Sequence, residues 1–104
     1  MQNAHIVVVG STMIDMVTYS KVIPNAGETV IGDNFITGFG GKGANQATMA
    51  RRFEVQVSMV NTLGDDVFGE TTLQNFQKQG INTDFVRRAS GPSGVAPIWV
   101  EPNG

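Results

Sequence analysis

The ten residues from Gly38 to Ala47 constrain the fold more than any other stretch, because they join a glycine-rich segment to a helical pattern. The segment reads Gly-Phe-Gly-Gly-Lys-Gly-Ala-Asn-Gln-Ala and contains four glycines. Glycine lets the backbone adopt positive φ and approach a ligand or another backbone closely. The helix that follows directs its unpaired N–H groups, and the positive end of its dipole, towards the same place. The stretch therefore predicts a ligand site at the beginning of a helix.

Two phosphate-binding motifs share features with this stretch. A Walker loop, G-x-x-x-x-G-K-[ST], is excluded because Gly43 follows Lys42 and no glycine stands five residues before Gly41. The dinucleotide fingerprint G-x-G-x-x-G is matched by Gly38, Gly40 and Gly43. That fingerprint belongs in the turn directly after a first strand, whereas the first strand pattern here ends far upstream. The dinucleotide interpretation is therefore weak.

A sugar or another polar ligand would use the side chains of this stretch as well as its backbone. Lys42 offers a charged donor, and the Asn45 amide both donates and accepts hydrogen bonds. Asparagine within a helix costs about 0.5 kcal/mol relative to alanine, a small penalty that a ligand contact would justify. The residues alone leave the dinucleotide and sugar interpretations open.

Strand and helix patterns alternate along the chain, which predicts an α/β fold. Ile6–Val9 is a β-branched run typical of a strand buried on both faces of a parallel sheet, and Asp15 lies beyond its C-terminal end. One helix is predicted from Gly43 to about Phe53, with Ala44, Ala47 and Ala50 forming a small-residue face for packing on the sheet. A second helix, capped by Gly64-Asp65-Asp66 and ended by Gly80, is predicted through about Gln79. Strand-like pieces without helical period predict a small antiparallel layer, and further strands follow. The strand-like segments are Met16–Tyr19, Glu28–Ile31, Phe35–Thr37, Val55–Val60, Phe85–Arg88 and Val95–Val100, the last an edge strand because it contains Pro97.

Composition excludes several classes of function. The net charge is −2, which gives no electrostatic support for binding nucleic acid or an anionic membrane surface. There is no cysteine and His5 is the single histidine, so a disulfide scaffold and a Cys- or His-rich metal site are excluded. No apolar run reaches the roughly 18 residues of a membrane-spanning helix. Met1–His5 has no basic segment ahead of a long apolar run, so no secretion signal is predicted and we expect a cytoplasmic protein.

The chain also carries a series of short motifs in a fixed order. They are Gly10-Ser11, Asp15, Gly27-Glu28-Thr29, the run Gly40–Ala47, Gly64-Asp65-Asp66, Phe68-Gly69, and Val95–Ile98 after Ser93-Gly94. This series resembles the N-terminal third of the ribokinase (PfkB) family of sugar kinases, and the resemblance extends over the whole chain. The Gly-Gly-Lys-Gly-Ala-Asn-Gln run is specific to the ribokinase branch, and Val95–Ile98 is similar to the ribokinase and deoxyribokinase members.

The resemblance implies an α/β, Rossmann-like ribokinase fold, represented by its N-terminal portion over residues 1–104, with a small β-sheet lid. The lid strands would lie at about 16–37 and 95–100. Asp15 would accept hydrogen bonds from sugar hydroxyls, the helix end would surround the sugar, and the lid strand would touch it. The substrate-binding residues implied in this way are Met13, Asp15, Gly41, Lys42, Gly43, Asn45, Ala96 and Ile98.

The resemblance further implies transfer of the γ-phosphoryl group of ATP to the terminal hydroxyl of a pentose, ribose or 2-deoxyribose. Mg²⁺ and a monovalent cation such as K⁺ are implied as cofactors, and a homodimer formed through the lid as the assembly. The catalytic base and the ATP and cation sites belong to a Gly-Ala-Gly-Asp region of the family that these residues lack. The C-terminal ATP-binding part is therefore expected to be absent, and Asn103-Gly104, a hairpin signal without a returning strand, is expected of a fragment.

Two positions depart from the family pattern. Met13 stands where many ribokinases have asparagine, and a thioether is at best a weak acceptor. A site with one fewer hydrogen bond would discriminate less against a sugar that lacks a hydroxyl, so Met13 predicts acceptance of 2-deoxyribose. Arg51–Glu54 stands where the first helix of the family usually ends in Leu-Gly, which alters the capping of that helix.

Two alternatives to a pentose kinase remain from the sequence. One is a kinase of the same family that acts on another substrate, such as a nucleoside or a hexose. The other is a non-catalytic sugar- or dinucleotide-binding module, which the literal G-x-G-x-x-G would permit.

Overall fold

The computed structural model describes residues 4–104, which form two three-stranded sheets and two helices. Met1–Asn3, part of the segment in which no secretion signal was predicted, lie outside the described residues. The elements in chain order are β1 (His5–Val9), β2 (Met13–Tyr19), β3 (Asn34–Gly40), α1 (Lys42–Arg52), β4 (Gln56–Gly64), α2 (Val67–Lys78), β5 (Asn82–Ala89) and β6 (Val95–Val100).

The main sheet is parallel, in the order β1-β4-β5, and it carries both helices on one face. Val8, Val57 and Met59 project from that face into a core closed by Phe76 of α2. Ala44 and Ala47 of α1 are 4% and 0% exposed, and Ala50 packs at the margin of the same core. Small side chains let a helix approach a sheet closely, so the predicted alanine face is confirmed.

The prediction that Ile6–Val9 is buried on both faces is wrong for the described residues. Val8 is buried at 8% exposure, but Val7 and Val9 are 56% and 78% exposed. The reason is that both helices lie on the face to which Val8 points, whereas Val7 and Val9 project from the opposite face, which is open to solvent in residues 4–104.

The second sheet, called the small sheet here, has the order β3-β2-β6. A small layer was predicted, but as antiparallel, and the observed sheet is mixed. β2 and β3 pair antiparallel from Met13↔Gly40 to Tyr19↔Asn34, and β2 and β6 pair parallel. β6 lies at an edge, as Pro97 predicted, since proline has no backbone N–H to donate to a neighbouring strand. β2 and β3 are longer than predicted, so Asp15 lies inside a strand of the small sheet and Gly38 and Gly40 are strand residues.

The prediction of a strand at Glu28–Ile31 is wrong. The antiparallel pair closes between Tyr19 and Asn34, where the N–H of Asp33 donates to the Tyr19 carbonyl at 2.7 Å. Residues 20–33 therefore form the connection between the two strands, and Ile31 is 92% exposed. A β-branched pattern without a partner strand did not suffice to form a strand there.

The two helices end differently. Gly80 follows α2 with φ +79°, the left-handed conformation that glycine adopts at little cost, as predicted. Glu54 takes the equivalent place after α1 with φ +61° and is the non-glycine residue with positive φ among residues 4–104. The missing family glycine therefore leaves a strained residue at the end of α1.

Replacing Glu54 with glycine is expected to raise the free energy of unfolding by about 1 kcal/mol, because a side chain in the left-handed region costs about 1–2 kcal/mol and glycine recovers most of it. Urea denaturation of the intact protein measures the change. The converse variant Gly80→Ala should lower the stability by a similar amount. Equal stability of Glu54→Gly and the wild type would contradict the assignment of strain to this residue.

Neither helix within residues 4–104 is long and apolar enough to cross a membrane.

Candidate functional site

The carboxylate of Asp15 lies directly over the backbone of Gly40. A Cβ built on Gly40 would be 2.5 Å from each carboxylate oxygen, so the carboxylate occupies the space that a side chain at position 40 would need. Gly40 is followed by Gly41, the residue that precedes α1. Strand pairing thus brings Asp15 next to the beginning of the helix, although the two are far apart in sequence.

Four of the predicted substrate-binding residues share one face of the small sheet. Asp15 of β2 is opposite Ala96 of β6, and Val17 is opposite Ile98. Because side chains alternate across a strand, Met13, Asp15, Ala96 and Ile98 all project to the same side. On the β3 side Asp15 faces Gly38, so no side chain crowds the carboxylate there.

The first turn of α1 packs closely on the chain that leaves β1. Gly41 has φ +97°, and a Cβ on it would lie 2.7 Å from the Ser11 carbonyl oxygen. A Cβ on Gly43 would lie 2.7 Å from the carbonyl carbon of Gly10. The Ala44 N–H donates to the Ser11 carbonyl at 3.1 Å, whereas Gly41 supplies no side-chain cap. The glycines are required here for close backbone contact, and the helix end carries no capping side chain.

Lys42 and Asn45 are both exposed at this end of α1. Asn45 lines a cleft of about 390 Å³ between α1 and α2, together with Thr12 and Phe39. Asp15 does not line that cleft. The structure therefore places Lys42 and Asn45 in the first turn of α1 and Asp15 beside Gly40, just before that turn, but Asn45 borders a cleft that Asp15 does not line.

The position of the glycines argues against a dinucleotide site. Gly38 and Gly40 lie in β3 of the small sheet, and the turn that follows β1 contains Gly10. The fingerprint needs its glycines in that turn, where the backbone approaches a pyrophosphate. Gly38, Gly40 and Gly43 therefore have the spacing of the fingerprint but not its position in the fold.

Sequence reasoning missed a polar contact between the ends of β1 and β4. The Asn61 amide donates to the Thr12 hydroxyl at 2.5 Å, which ties the segment after β1 to the adjacent strand. A signal was present, since Asn61 is a polar residue near the carboxyl end of a parallel strand, where ligand sites form in open α/β sheets.

Asp66 caps α2, as predicted, but it also binds a loop that the sequence did not connect to it. One carboxylate oxygen accepts from the Gly69 N–H at 2.9 Å and from the Ser93 hydroxyl at 2.7 Å, and the other accepts from the Ser93 N–H at 2.8 Å. These bonds, the hydroxyl of Ser93 first and the two backbone N–H groups after it, lower the pKa of Asp66 from 3.8 to about 2.

This shift predicts a loss of stability in acid. Because the pKa of Asp66 is lower in the folded than in the unfolded chain, its contribution is fully present above about pH 4 and is lost as the pH falls towards 2. In Asp66→Asn that part of the pH dependence between pH 4 and 2 should disappear, which thermal unfolding at a series of pH values measures. Neighbouring Glu70 is paired with Arg88 at 2.9 Å, and neither of these residues is replaced in Asp66→Asn. Asp84→Asn, which changes an exposed carboxylate on β5, should keep the wild-type pH dependence of stability. If both variants lost the pH dependence between pH 4 and 2, it could not be assigned to Asp66.

No group of three or more His, Cys, Asp or Glu side chains that could hold a metal ion is found in the described part of the chain, residues 4–104.

The comparison with protein families identifies the class to which this chain belongs. The family model of the pfkB family carbohydrate kinases matches residues 3–104, and the chain belongs to this family. Relatives include the deoxyribokinase of Salmonella typhi, 44% identical over 99 residues, and the ribokinase of Bacillus subtilis, 48% identical over 95 residues. The alignments cover 94% and 90% of this chain but 32% of each relative, so the chain spans about a third of their length.

A solved structure supports the same assignment. Arabidopsis thaliana ribokinase complexed with ribose and ATP matches with a TM-score of 0.89 and 30% sequence identity, over 100% of this chain and 34% of that one. The α/β ribokinase fold with a small second sheet, predicted from the sequence, is thereby confirmed.

Proposed function

We propose that these residues form the sugar-binding side of an ATP-dependent kinase, acting in the cytoplasm, that phosphorylates the terminal hydroxyl of a pentose. The observation that carries the proposal is the position of the Asp15 carboxylate. It lies over Gly40 beside the beginning of α1, on the face of the small sheet that also presents Ala96 and Ile98. A carboxylate with free lone pairs at a helix N-terminus suits a ligand rich in hydroxyl donors.

In this proposal each part of the site has a separate task. Asp15 accepts hydrogen bonds from two sugar hydroxyls and so fixes the orientation of the ring. Lys42 and the uncapped N–H groups of α1 donate to sugar oxygens, and Asn45 adds a donor and an acceptor. Ala96 and Ile98 form an apolar wall, so that the small sheet serves as the lid. Oriented in this way, the terminal hydroxyl is held towards the nucleotide.

The nucleotide side is assigned to chain that follows Gly104. Two observations support this: the chain spans about a third of its relatives, and Val7 and Val9 expose an apolar face on a strand whose composition suits cover on both sides. ATP enters the proposal because the Arabidopsis relative was solved with ribose and ATP. Residues 4–104 hold no group of three or more His, Cys, Asp or Glu side chains that could hold a metal ion, so none of them is assigned to Mg²⁺ or K⁺. When bound, the ions would neutralise charge on the transferring phosphoryl group.

Phosphoryl transfer by the intact protein, with any chain that follows Gly104, tests the proposal. ADP release is followed with ribose, 2-deoxyribose, a hexose and a nucleoside, and the phosphorylated position is read by ³¹P NMR. We expect transfer to the terminal hydroxyl of a pentose. Transfer to a hexose or a nucleoside alone would show that the substrate is not a pentose. Binding of a sugar or of NAD without any transfer would contradict the proposal that the protein is a kinase.

We further propose that Met13 admits 2-deoxyribose to the site. Met13 lies two residues before Asp15 on the same face of β2, opposite Gly40, and is 39% exposed. Its Cγ and Cε lie 3.8 Å from the position of a Cβ on Gly94, so the side chain extends towards β6. A thioether there gives no strong hydrogen bond to a sugar hydroxyl. The site would therefore lose little binding free energy with a sugar that lacks that hydroxyl.

Met13→Asn is therefore expected to raise the preference for ribose over 2-deoxyribose by about 2- to 10-fold in kcat/KM, since a net hydrogen bond is worth about 0.5–1.5 kcal/mol. Kinetics of the intact protein on both sugars measure the ratio. Met16→Asn, on the opposite face of β2, is the matched control and should leave the ratio unchanged even if it lowers stability. An unchanged ratio in Met13→Asn would remove Met13 as the determinant of specificity.

A homodimer formed through the small sheet is part of the same proposal. Phe35 and Trp99 flank Thr18 on the face opposite Asp15, and they are 57% and 51% exposed. Exposed aromatic side chains and two open sheet edges favour association with a second copy. Sedimentation of the same preparation distinguishes a dimer from a monomer.

A further inference from the structure

One loop joins the main sheet to the strand of the small sheet that carries Ala96 and Ile98. This loop, residues 90–94, connects β5 to β6, and Gly91 within it has φ +113°. At its end the Gly94 carbonyl accepts from the Ile14 N–H at 3.2 Å, which starts the pairing of β6 with β2. The position of β6 therefore depends on what holds the loop.

The loop is held by the segment Gly64-Asp65-Asp66 through hydrogen bonds at three residues. The Ser93 hydroxyl donates to Asp66 at 2.7 Å and accepts from the Gly64 N–H at 2.9 Å, while the Ser93 N–H donates to Asp66 at 2.8 Å. Asp65 exchanges two bonds with Gly91, accepting from its N–H at 3.0 Å and donating its own N–H to the carbonyl at 3.1 Å. We call this set of contacts the clamp.

The main-sheet side of the clamp is fixed by its own contacts. The Arg88 guanidinium of β5 donates to the Gly64 carbonyl at 2.7 Å and to the Asp66 carbonyl at 3.3 Å, and it pairs with Glu70. A Cβ on Gly69 would lie 3.1 Å from the Ser93 hydroxyl and closer still to Gly64. The first turn of α2 thus sits tightly against both the clamp and the end of β4.

Capping of α2 does not account for these contacts. A cap needs one acceptor for an N–H of the first turn, which the bond from Gly69 supplies. The second carboxylate oxygen of Asp66 and the side chain of Asp65 instead accept from backbone N–H groups of the loop, and the Ser93 hydroxyl of the loop donates to Asp66.

We infer that Asp66 and Ser93 are positioning residues that set where β6, with Ala96 and Ile98, meets a sugar held at Asp15. The inference rests on the proposed function for the sugar, but the geometry of the clamp does not. The clamp holds the loop against the beginning of α2, and the loop leads directly into β6. β6 in turn is paired with β2, the strand that carries Asp15.

The test uses four variants of the intact protein. Asp66→Asn keeps one oxygen for the α2 cap but replaces the oxygen that accepts from the Ser93 N–H with a donor. Ser93→Ala removes the hydroxyl and Ser93→Thr restores it. Gln74→Gly weakens α2 at an exposed position that does not touch the loop. The Gln74 amide donates to Glu70 at 3.2 Å, so this variant controls both for loss of helix stability and for any effect that passes through Glu70.

Two measurements are made on each variant, amide hydrogen exchange by mass spectrometry and steady-state kinetics. In Asp66→Asn and Ser93→Ala, exchange in residues 95–100 should accelerate roughly tenfold. Exchange in residues 57–62 of β4 should stay at the wild-type rate; Gly64 is left out of this comparison because its N–H donates to the Ser93 hydroxyl. The KM for the pentose should rise by roughly tenfold with the KM for ATP unchanged. Ser93→Thr should restore both values, and Gln74→Gly should change neither.

Each other outcome decides against a definite part of the inference. Unchanged exchange in β6, equal acceleration in both sheets, or an effect of Gln74→Gly equal to that of Asp66→Asn would reduce Asp66 to a helix cap. Faster exchange in β6 with an unchanged pentose KM would overturn its role in placing the sugar. If the wild type transfers no phosphoryl group but β6 responds, the clamp stands and the proposed function fails.

Discussion

Replacing Asp15 with alanine is expected to lower kcat/KM for the sugar by about 10²- to 10⁴-fold. A hydrogen bond to a charged group contributes about 1.5–3 kcal/mol, and the proposed site uses two such bonds from hydroxyls to one carboxylate. The carboxylate also fixes the orientation of the ring, so both binding and transfer should suffer. Steady-state kinetics of the intact protein measure the loss.

The fold itself should tolerate this change. The carboxylate lies over Gly40, and alanine at position 15 opens space there without burying an unpaired polar group. Asp33→Ala makes the same chemical change at an exposed position in the connection between β2 and β3, and it should leave kcat/KM within about twofold because surface changes rarely matter. If Asp15→Ala kept kcat/KM at the level of this control, Asp15 would not be the sugar ligand.

Replacing Gly43 with valine is expected to lower the free energy of unfolding by about 1–3 kcal/mol, the usual cost of forcing a larger group into a filled space. The new Cβ would lie 2.7 and 2.8 Å from two backbone atoms of Gly10 and 2.9 Å from the Ser11 nitrogen. Backbone atoms of a paired strand end cannot rotate away as a side chain can. The beginning of α1 would have to move, and with it Lys42 and Asn45. Urea denaturation of the intact protein measures the loss, and a raised KM for the sugar should accompany it.

Gly38→Val is the matched control for stability. Gly38 lies in the same glycine-rich stretch, but a Cβ there has no atom within 4 Å, and valine suits a strand. Its free energy of unfolding should stay within about 0.5 kcal/mol of the wild type. An equal loss of unfolding free energy in Gly43→Val and Gly38→Val would show that the stretch tolerates no added side chain. The loss in Gly43→Val could then not be attributed to the contact with Gly10.

Several elements followed from the sequence because their causes are local. The alanine spacing in α1, the acidic cap and terminal glycine of α2, and the proline in β6 each act over a few residues, so pattern and structure agree. The motif series was also sufficient to indicate the family, since the spacing of its members reflects the fold. The strand predicted at Glu28–Ile31 failed because a strand needs a partner in register, and residues 20–33 only connect β2 to β3.

The sequence by itself determined an α/β fold, a helix that begins in a glycine-rich stretch, and Asp15 as the candidate that faces it. The tertiary structure decided why those glycines are needed: Gly40 makes room for the Asp15 carboxylate, and Gly43 makes room for Gly10. It also decided that Asp66 acts on the loop before β6 as well as on its own helix. The physical reason is that these close backbone contacts, and the sharing of the Asp66 carboxylate, depend on which strands pair. Pairing between segments distant in sequence is set by burial over the whole chain, and no local pattern specifies it.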